Sequence, residues 1–256
     1  MSNIKKAFES GKAIIPFITC GDPDFKTTAD AIYAAVKSGA DLIEIGIPFS
    51  DPTAEGPIIQ GANLRALNAG ATTDRIFTFI KELRPNIKIP LLFMAYANVV
   101  FSYGAEKFIS ICKDIKIDGL IIPDLPFEEK EEFYPICKKY GIDLISFIAP
   151  STEERIAMIA KEAEGFIYIV PSLEVNETRS KIKTDLNSII QIIRDNTDIP
   201  CAIELDSFTK EQVKEIINIS DGVIIRASIG ELFEKYGKDS PMYVEEYIKS
   251  LKRVIK

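Results

Sequence analysis

The chain has 256 residues, 46% of them hydrophobic, and a formal net charge of −7. This length suits a single α/β barrel, and the composition leaves enough apolar material for a large core. No cluster of Lys and Arg is present, which excludes the charge pattern of a nucleic-acid or membrane-surface binder and leaves a small molecule or a protein as partner. No apolar run approaches the ~20 residues that span a bilayer, and no secretory leader is recognisable, so we expect a cytoplasmic protein.

The chain contains no His and no Trp, and its four cysteines, Cys20, Cys112, Cys137 and Cys201, are widely spaced. Without His, Ser–His–Asp and Cys–His catalysis and most zinc sites are excluded, so acid–base work falls to carboxylates, Tyr, Lys and Arg. Cysteines without a CxxC pair are expected to be small core residues rather than ligands or disulfides. We therefore predict no metal site built on Cys or His.

Taken in chain order, eight short runs of branched apolar residues indicate strands, and amphipathic segments between them indicate helices. The predicted strands are 13–19, 41–46, 89–96, 118–124, 143–150, 165–170, 199–204 and 221–226. The predicted helices are 26–38, 73–84, 104–115, 128–140, 152–163, 183–195, 209–218 and 241–255. Several of these helices follow Thr, Ser or Asp in a capping position.

Near-continuous apolar strands joined by helical crossovers are typical of a parallel sheet whose outer face is covered. Eight such units at this length favour an α/β fold, a closed (β/α)8 TIM barrel forming a single domain over residues 1–256. An open doubly wound sheet is the alternative, but the turn after the first strand, "TCGDPDF", is not a GxGxxG turn. In a barrel the chemistry lies at the carboxyl ends of the strands, so residues there are the candidates for function.

Glu44 lies among branched apolar residues in the second predicted strand, "DLIEIG". A carboxylate facing a barrel interior is costly when ionised, and its pKa rises, which suits a general acid–base group. The alternative is a strand glutamate that faces the outer layer and reaches solvent. We expect Glu44 to be catalytic.

Further acids follow Glu44 in the proline-punctuated loop "IPFSDPTAEGP" and in neighbouring loops. Glu55 is the candidate companion of Glu44, although a loop acid is most often merely solvated. Asp22, Asp51 and Asp124 stand beside prolines, where a short acceptor side chain can bond local backbone N–H groups and set a turn. For these three aspartates we favour a structural role.

Five blocks of the sequence share the pattern of one known family. They are "PFITCGDPD", "GADLIEIGIPFSDPTAEGPIIQGAN", "PLLFMAYANVVFSYG", "DGLIIPDLPFEE" and "LISFIAPST". Together they resemble the α subunit of tryptophan synthase. The similarity runs from about residue 11 to 165 and resumes in the helices near 183–195 and 211–218. It implies a TIM barrel that cleaves indole-3-glycerol phosphate into indole and glyceraldehyde 3-phosphate, without a cofactor of its own. It also implies a β-subunit partner, which carries pyridoxal phosphate.

The resemblance assigns roles to residues of this chain by position. Glu44 corresponds to the acid–base carboxylate that protonates the indole ring carbon where the C–C bond breaks. Glu55 stands where the family has an aspartate that accepts the indole N–H, so its carboxylate is moved outward by one methylene. The residues expected to line the apolar indole pocket are Phe17, Leu92, Tyr96, Ile148 and Tyr168.

The second half of the chain departs from the family pattern at the loops that should bind phosphate. The family has "GVTG", "GFGI" and "GSA" where this chain has "EVNE" (174–177), "ELDS" (204–207) and "RAS" (226–228). Glycines let backbone N–H groups and a helix N-terminus approach a phosphate closely, and acids compete for the same groups. The altered phosphate-site positions are Glu177, Asp206, Arg226 and Ala227.

Three interpretations therefore stay open at the level of sequence. The first is a lyase of the tryptophan synthase α type. The second is a repurposed barrel whose apolar pocket, ringed by acids, takes a non-phosphorylated ligand, performs proton abstraction or gathers Mg²⁺ or Ca²⁺. The acids of that ring are Glu44, Glu55, Glu174, Glu177, Glu204 and Asp206. The third is a non-catalytic scaffold that kept only its interaction surface.

Overall fold

A computed structural model describes residues 3–171, 179–205 and 210–255 of the chain. The described strands are β1 (Ala13–Thr19), β2 (Ile43–Gly46), β3 (Leu91–Met94), β4 (Gly119–Ile121), β5 (Asp143–Leu144), β6 (Ser146–Ile148), β7 (Ile167–Ile169), β8 (Cys201–Leu205) and β9 (Gly222–Ile225). All the pairings between them are parallel. The predicted strands are confirmed, except that the fifth forms two short stretches.

That fifth segment closes the sheet into a barrel. The strand order is β5-β4-β3-β2-β1-β9-β8-β7-β6, and β5 and β6 are separated along the chain by Ile145 alone. β5 pairs with β4 and β6 pairs with β7, so one segment joins both ends of this order. The (β/α)8 barrel predicted from the sequence is confirmed, and an open sheet is excluded.

Helices surround the barrel. They are α1 (Phe25–Lys37), α2 (Pro57–Asn68), α3 (Thr73–Leu83), α4 (Ala97–Tyr103), α5 (Ala105–Asp114), α6 (Tyr134–Tyr140), α7 (Glu153–Lys161), α8 (Arg179–Asn196), α9 (Lys210–Ile219), α10 (Ala227–Tyr236) and α11 (Ser240–Ile255). Each predicted helix has a counterpart, whereas α2, α4 and α10 were not predicted. None of the described helices is long and apolar enough to cross a membrane.

Local chemistry explains where several helices begin. Asp24 caps α1 by accepting the backbone N–H of Thr27 at 2.7 Å, and Thr72 caps α3 by accepting that of Arg75 at 3.3 Å. Such caps satisfy N–H groups that have no partner within the helix. Asp24 stands in the loop after β1 and so fixes how the chain leaves the barrel wall, whereas Thr72 lies in the short connection between α2 and α3.

The apolar core has two layers, because alternate residues of each strand point to opposite faces. One layer lies between sheet and helices and contains all four cysteines, each buried and unpaired in the described structure. The other fills the barrel, with Ile15, Phe17 and Tyr168 among its members. A short 3-10 helix, Ile4–Phe8, contributes the fully buried Ile4 to this interior layer.

Candidate active site

Glu44 lies inside the barrel. On β2 it is in register with Phe17 of β1 and Leu92 of β3, and it is 0% exposed. Among the residues that the structure describes, neither carboxylate oxygen has a hydrogen-bond partner. Burial raises the pKa of Glu44 to about 8; the positive charge of Arg226 opposes this, and the negative charges of Glu204 and Glu55 add to it. At neutral pH Glu44 therefore keeps its proton and can act as an acid.

Arg226 directly precedes α10, and its side chain turns into the barrel instead of toward solvent. The guanidinium hydrogen-bonds Glu55 and lies 3.5 Å from both carboxylate oxygens of Glu204. It also stands over the Phe17 ring, 4.6 Å from the ring centroid, and 3.4 Å from Sδ of Met94. A cation so placed is stabilised by two carboxylates and by a π face.

Glu204 is held from its other side by a tyrosine. The hydroxyl of Tyr168 donates to Oε2 of Glu204 at 2.7 Å, and both residues are buried. Burial and the charge of Glu204 raise the pKa of Tyr168 well above its usual value, so the phenol stays a hydrogen-bond donor. Tyr168, Glu204, Arg226 and Glu55 thus form one continuous polar network, which we call the Arg226 network.

The loop between β2 and α2 carries Glu55, and several contacts fix it. The hydroxyl of Tyr96 accepts the backbone N–H of Ala54 at 2.9 Å, and Oδ1 of Asn63 accepts that of Phe49 at 2.9 Å. Burial and the nearby charge of Glu55 raise the pKa of Tyr96 to about 12. Although Glu55 belongs to a surface loop, its side chain is only 5% exposed, because the loop folds it inward to Arg226.

Phe17 is pressed against the backbone of β2. A side-chain carbon added to Gly46 would lie 2.4 Å from the Phe17 ring, closer than real contacts allow. Glycine at this position therefore lets the end of the ring approach the strand closely. The ring in turn supports the guanidinium of Arg226 from below.

A cavity of about 590 Å³ opens at the carboxyl ends of the strands. Its lining includes Glu55, Pro123, Phe147, Val170, Glu204, Arg226 and Ala227. Phe147, Val170 and Glu204 were not among the predicted substrate contacts or catalytic residues, although Glu204 was expected in the ring of acids. Phe147 is turned inward by the sheet register, in which it pairs with Tyr168; the apolar run "LISFIAP" around it gives no such signal.

The structure brings most predicted site residues together and corrects one. Glu44, Phe17, Leu92 and Tyr168 face the interior. Ile148, however, packs in the outer layer, and its neighbours Phe147 and Ala149 line the cavity. The expected pocket position is therefore wrong by one residue, which in a strand reverses the face.

The predictions for Glu174, Glu177 and Asp206 lie outside the described residues. Arg226, one of the altered phosphate-site positions, forms ion pairs with Glu55 and Glu204 within the barrel. Ala227 is the first residue of α10 and borders the cavity. Over the described ranges, no group of His, Cys, Asp or Glu is arranged to hold a metal ion.

The three aspartates beside prolines each form hydrogen bonds, and those of Asp22 and Asp124 reach residues 43 and 27 positions away. Asp22 forms two hydrogen bonds with Arg65, at 2.7 and 2.8 Å, and Asp124 accepts the backbone N–H of Ala97 at 2.8 Å. Asp51 accepts the hydroxyl of Ser50 at 2.7 Å on the surface. The bonds of Asp22 and Asp124 tie loops to neighbouring helices, but none of these bonds goes to a local backbone N–H group, which is the contact that the sequence predicts.

Glu44 is a buried carboxyl group that keeps its proton, and Glu55 belongs to the lining of the cavity. Two such groups can give a proton to a bound ring and accept an N–H from it. The fold and this site define the class of (β/α)8-barrel enzymes, with carboxyl groups at the carboxyl ends of the strands.

Comparison with known proteins narrows this class. The family model described as "Tryptophan synthase alpha chain" matches residues 2–254. The tryptophan synthase alpha chain of Alkaliphilus metalliredigens is 44% identical over 95% of this chain and 91% of its own length, and that of Lacticaseibacillus casei is 41% identical over 98% and 95%. A solved structure of tryptophan synthase subunit alpha from Campylobacter jejuni has a TM-score of 0.86 and 32% identity, covering 95% of this chain and 98% of that one.

This chain belongs to the tryptophan synthase alpha chain family. The reaction of the family is cleavage of indole-3-glycerol phosphate, which makes the chain a carbon–carbon lyase. Nothing in the comparisons supports a barrel repurposed for another ligand. The family also implies partnership with a β subunit.

Proposed function

We propose that this chain cleaves indole-3-glycerol phosphate with Glu44 as the acid–base group and Glu55 as the acceptor of the indole N–H. The observation that carries the proposal is the Glu44 carboxyl group, which is buried, has no hydrogen-bond partner among the described residues and is protonated at neutral pH. An acid in this state has a proton to give and no competing contact to break.

The proposed reaction begins when Glu44 donates its proton to the ring carbon that bears the glycerol chain. The bond from this carbon to the glycerol chain then breaks, its electrons return to the ring, and the hydroxyl proton passes to the carboxylate of Glu44. This transfer forms the aldehyde and restores the acid. Glu55 accepts the ring N–H and stabilises the positive charge that the ring carries meanwhile.

We place the phosphate at the start of α10, where Ala227 borders the cavity. The first N–H groups of a helix have no partner within it and favour an anion. The apolar side chains of Phe147 and Val170 line the same cavity and suit an aromatic ring. The chain would need no cofactor for these steps, because proton transfers suffice.

Release of indole from indole-3-glycerol phosphate tests the proposal. We expect wild-type chain to release indole above the uncatalysed background and Glu44→Gln to lose about 10²–10⁴-fold in rate, the range for loss of a general acid. Glu131→Gln, on an exposed glutamate, is the matched control and should keep the wild-type rate. Absence of indole with the wild-type chain would contradict the proposed reaction.

We further propose that a β subunit, carrying pyridoxal phosphate, docks over the strand ends and receives the indole. Phe101 on α4 is 70% exposed and Leu64 on α2 is 61% exposed, and both helices follow strands at the catalytic end of the barrel. Large exposed apolar side chains at one end of a molecule are typical of an interaction site.

The partner is tested by adding the β subunit of a relative to this chain. Phe101→Ser should weaken any stimulation of indole release without changing the rate of the isolated chain. Met242→Ser, on a residue 56% exposed on α11, should leave the stimulation intact. Equal stimulation of all three proteins would place the interface elsewhere.

A further inference from the structure

Arg226 joins parts of the barrel that are far apart in the sequence. Its guanidinium bonds Glu55, 171 residues earlier, and approaches Glu204, 22 residues earlier. Its side chain is 8% exposed, and those of Glu55 and Glu204 are 5% and 9% exposed. Two carboxylates persist at this depth because the cation between them offsets part of their charge.

The guanidinium is itself held on several sides, which limits its freedom to turn. Glu204 is fixed by the hydroxyl of Tyr168, and the Phe17 ring lies 4.6 Å from the guanidinium carbon. A planar fork with fixed partners transmits its own position to a carboxylate that it binds. The position of Glu55 is therefore set from across the barrel, and not by its own loop alone.

We propose that Arg226 is a positioning residue, which, anchored by Glu204 and Tyr168, holds the Glu55 carboxylate at the cavity wall for its contact with the substrate ring. This inference rests on the proposed function, because the substrate contact of Glu55 belongs to it. Arg226 acts through Glu55 and has no proton transfer of its own.

The reach of Glu55 matters to this arrangement. Aspartate at position 55 would withdraw the carboxylate by one carbon–carbon bond, about 1.5 Å, and so break the contact with Arg226. Displacement on the scale of 1 Å can cost up to about 10²-fold in rate. Glu55, Glu204 and Arg226 therefore work as a unit, and a change in one alters the value of the others.

The positive charge of Arg226 also acts on Glu44. The charged or titratable groups that interact electrostatically with Glu44 are Arg226, Glu204, Glu55 and Tyr168. Arg226 is the one among them that lowers the pKa of Glu44, so its removal raises that pKa further. Because protonated Glu44 is the proposed acid, the fall in activity at high pH moves to higher pH.

Enzyme kinetics test the proposal with Arg226→Met, Arg226→Lys and Glu55→Asp. We expect Arg226→Met and Glu55→Asp each to lower kcat on the order of ten- to a hundredfold and the double variant to lose little more than either single one. Arg226→Lys should recover part of the loss because it keeps the charge. Losses that multiply in the double variant would overturn the proposal.

Arg84→Met is the matched control. Arg84 forms an ion pair with Asp118 at 3.0 Å, with side chains 13% and 9% exposed, and lies outside the site. Its loss should lower stability and leave the pH profile unchanged, whereas Arg226→Met should shift the alkaline limb upward. Identical pH profiles in the two variants would reduce Arg226 to a structural residue and overturn the proposal.

A readout without substrate separates this inference from the proposed reaction. In chain labelled with ¹³C at Glu carboxyl groups, the Glu44 signal, assigned through Glu44→Gln, should titrate at higher pH in Arg226→Met, and a crystal structure should show Glu55 displaced. Both results without any indole from the wild-type chain would refute the reaction and keep the positioning of Glu55. Indole release by the wild-type chain, together with an undisplaced Glu55 in Arg226→Met, would support the reaction and refute the positioning of Glu55.

Arg226→Met leaves two buried acids without their cation, so it can fail to fold. The double variant Glu204→Gln with Arg226→Met removes the cation together with one acid and serves in its place, compared with Glu204→Gln alone. Displacement of Glu55 in the double variant only is the expected result. Displacement in neither variant would overturn the proposal.

Discussion

Glu44 keeps its proton because burial removes the water that would stabilise its charged form, and no hydrogen bond from the described residues replaces that water. The carboxyl group is fully buried, and its nearest charges include two other carboxylates as well as Arg226. The same feature that supplies an acid near neutral pH also makes folding sensitive to pH. In the unfolded chain this group has an ordinary pKa near 4.5.

Stability should therefore fall as pH rises through this window. Below about pH 4.5 both states hold the proton; between about 4.5 and 8 the folded state binds more protons than the unfolded state, so the free energy of unfolding decreases with pH. At about 1.4 kcal/mol per pKa unit, the loss is on the order of 4 kcal/mol. Urea unfolding of wild-type chain and Glu44→Gln at pH 5 and pH 8 measures it.

The free energy of unfolding should fall less between pH 5 and pH 8 in Glu44→Gln than in the wild type, because glutamine has no proton to release at position 44. Equal pH dependence of the two proteins would show that Glu44 is ionised in the folded state. That result would also remove the basis for its role as an acid.

Two residues show how far the sequence predicts this site. Glu44 could be assigned to the interior because an acid among branched apolar residues in a parallel strand is costly to bury and is typical of a site that uses its proton. Ile148 is assigned to the pocket by the resemblance alone, yet it packs in the outer layer. The uniformly apolar run around it does not reveal which face each residue takes. The direction of Arg226 depends on partners 22 and 171 residues away, which no local pattern encodes.

At the scale of elements, the loop between β2 and α2 depends on one hydroxyl. Tyr96 accepts the backbone N–H of Ala54, next to Glu55. Tyr96→Phe leaves this N–H without its partner, and we expect a cost of about 1 kcal/mol together with a several-fold rise in KM, because the loop then orders only when substrate binds. Steady-state kinetics and thermal unfolding measure both effects. Unchanged KM would show that the Arg226 network alone holds the loop.

The pair of Asp22 and Arg65 ties the first βα loop to α2. Asp22 is 2% exposed, and burial raises its pKa although Arg65 opposes this. Arg65→Met removes one partner of a buried pair, for which we expect a loss of about 3 kcal/mol at pH 7. The loss should be smaller at low pH, where Asp22 is protonated. Urea unfolding measures it, with Lys26→Met at an exposed pair as the control that should change nothing measurable.

The helices that the sequence patterns did not predict include α10, which contains Gly230. An isolated glycine lowers helix propensity, so the sequence pattern does not favour a helix here. In the fold, a side-chain carbon at this position would lie 2.7 Å from Ile58 of α2, so glycine is there to let the two helices approach. Similarly, the fifth strand forms one apolar run in the sequence but pairs with two different neighbours, which is a property of the closed ring and not of the segment.

For the whole molecule, the interior layer continues from the site to the opposite end of the barrel. There Ile4 is fully buried, in the same cluster as Phe17 and Tyr168. Ile4→Ala should cost about 3 kcal/mol through lost contacts and a residual cavity. Indole release at a temperature where the variant is folded should stay near the wild-type rate, since the site lies at the other end. A large loss of activity in folded protein would show that the two ends are coupled.

The single domain over residues 1–256 stays a prediction, and unfolding tests it. One domain should give coincident denaturant transitions by far-ultraviolet circular dichroism and by tyrosine fluorescence, the probe available in a chain without Trp. Transitions that separate would indicate parts that unfold independently.

The close approach of Phe17 to Gly46 also limits how this protein can evolve. No side chain fits at position 46 while the Phe17 ring stays, and a smaller residue at position 17 would take away the surface on which the Arg226 guanidinium rests. A larger residue at position 46 is therefore disfavoured while Phe17 is present, and a smaller residue at position 17 is disfavoured by itself. Lineages that alter this wall of the pocket should show substitutions at the two positions together, and those that retain Phe17 should retain the glycine.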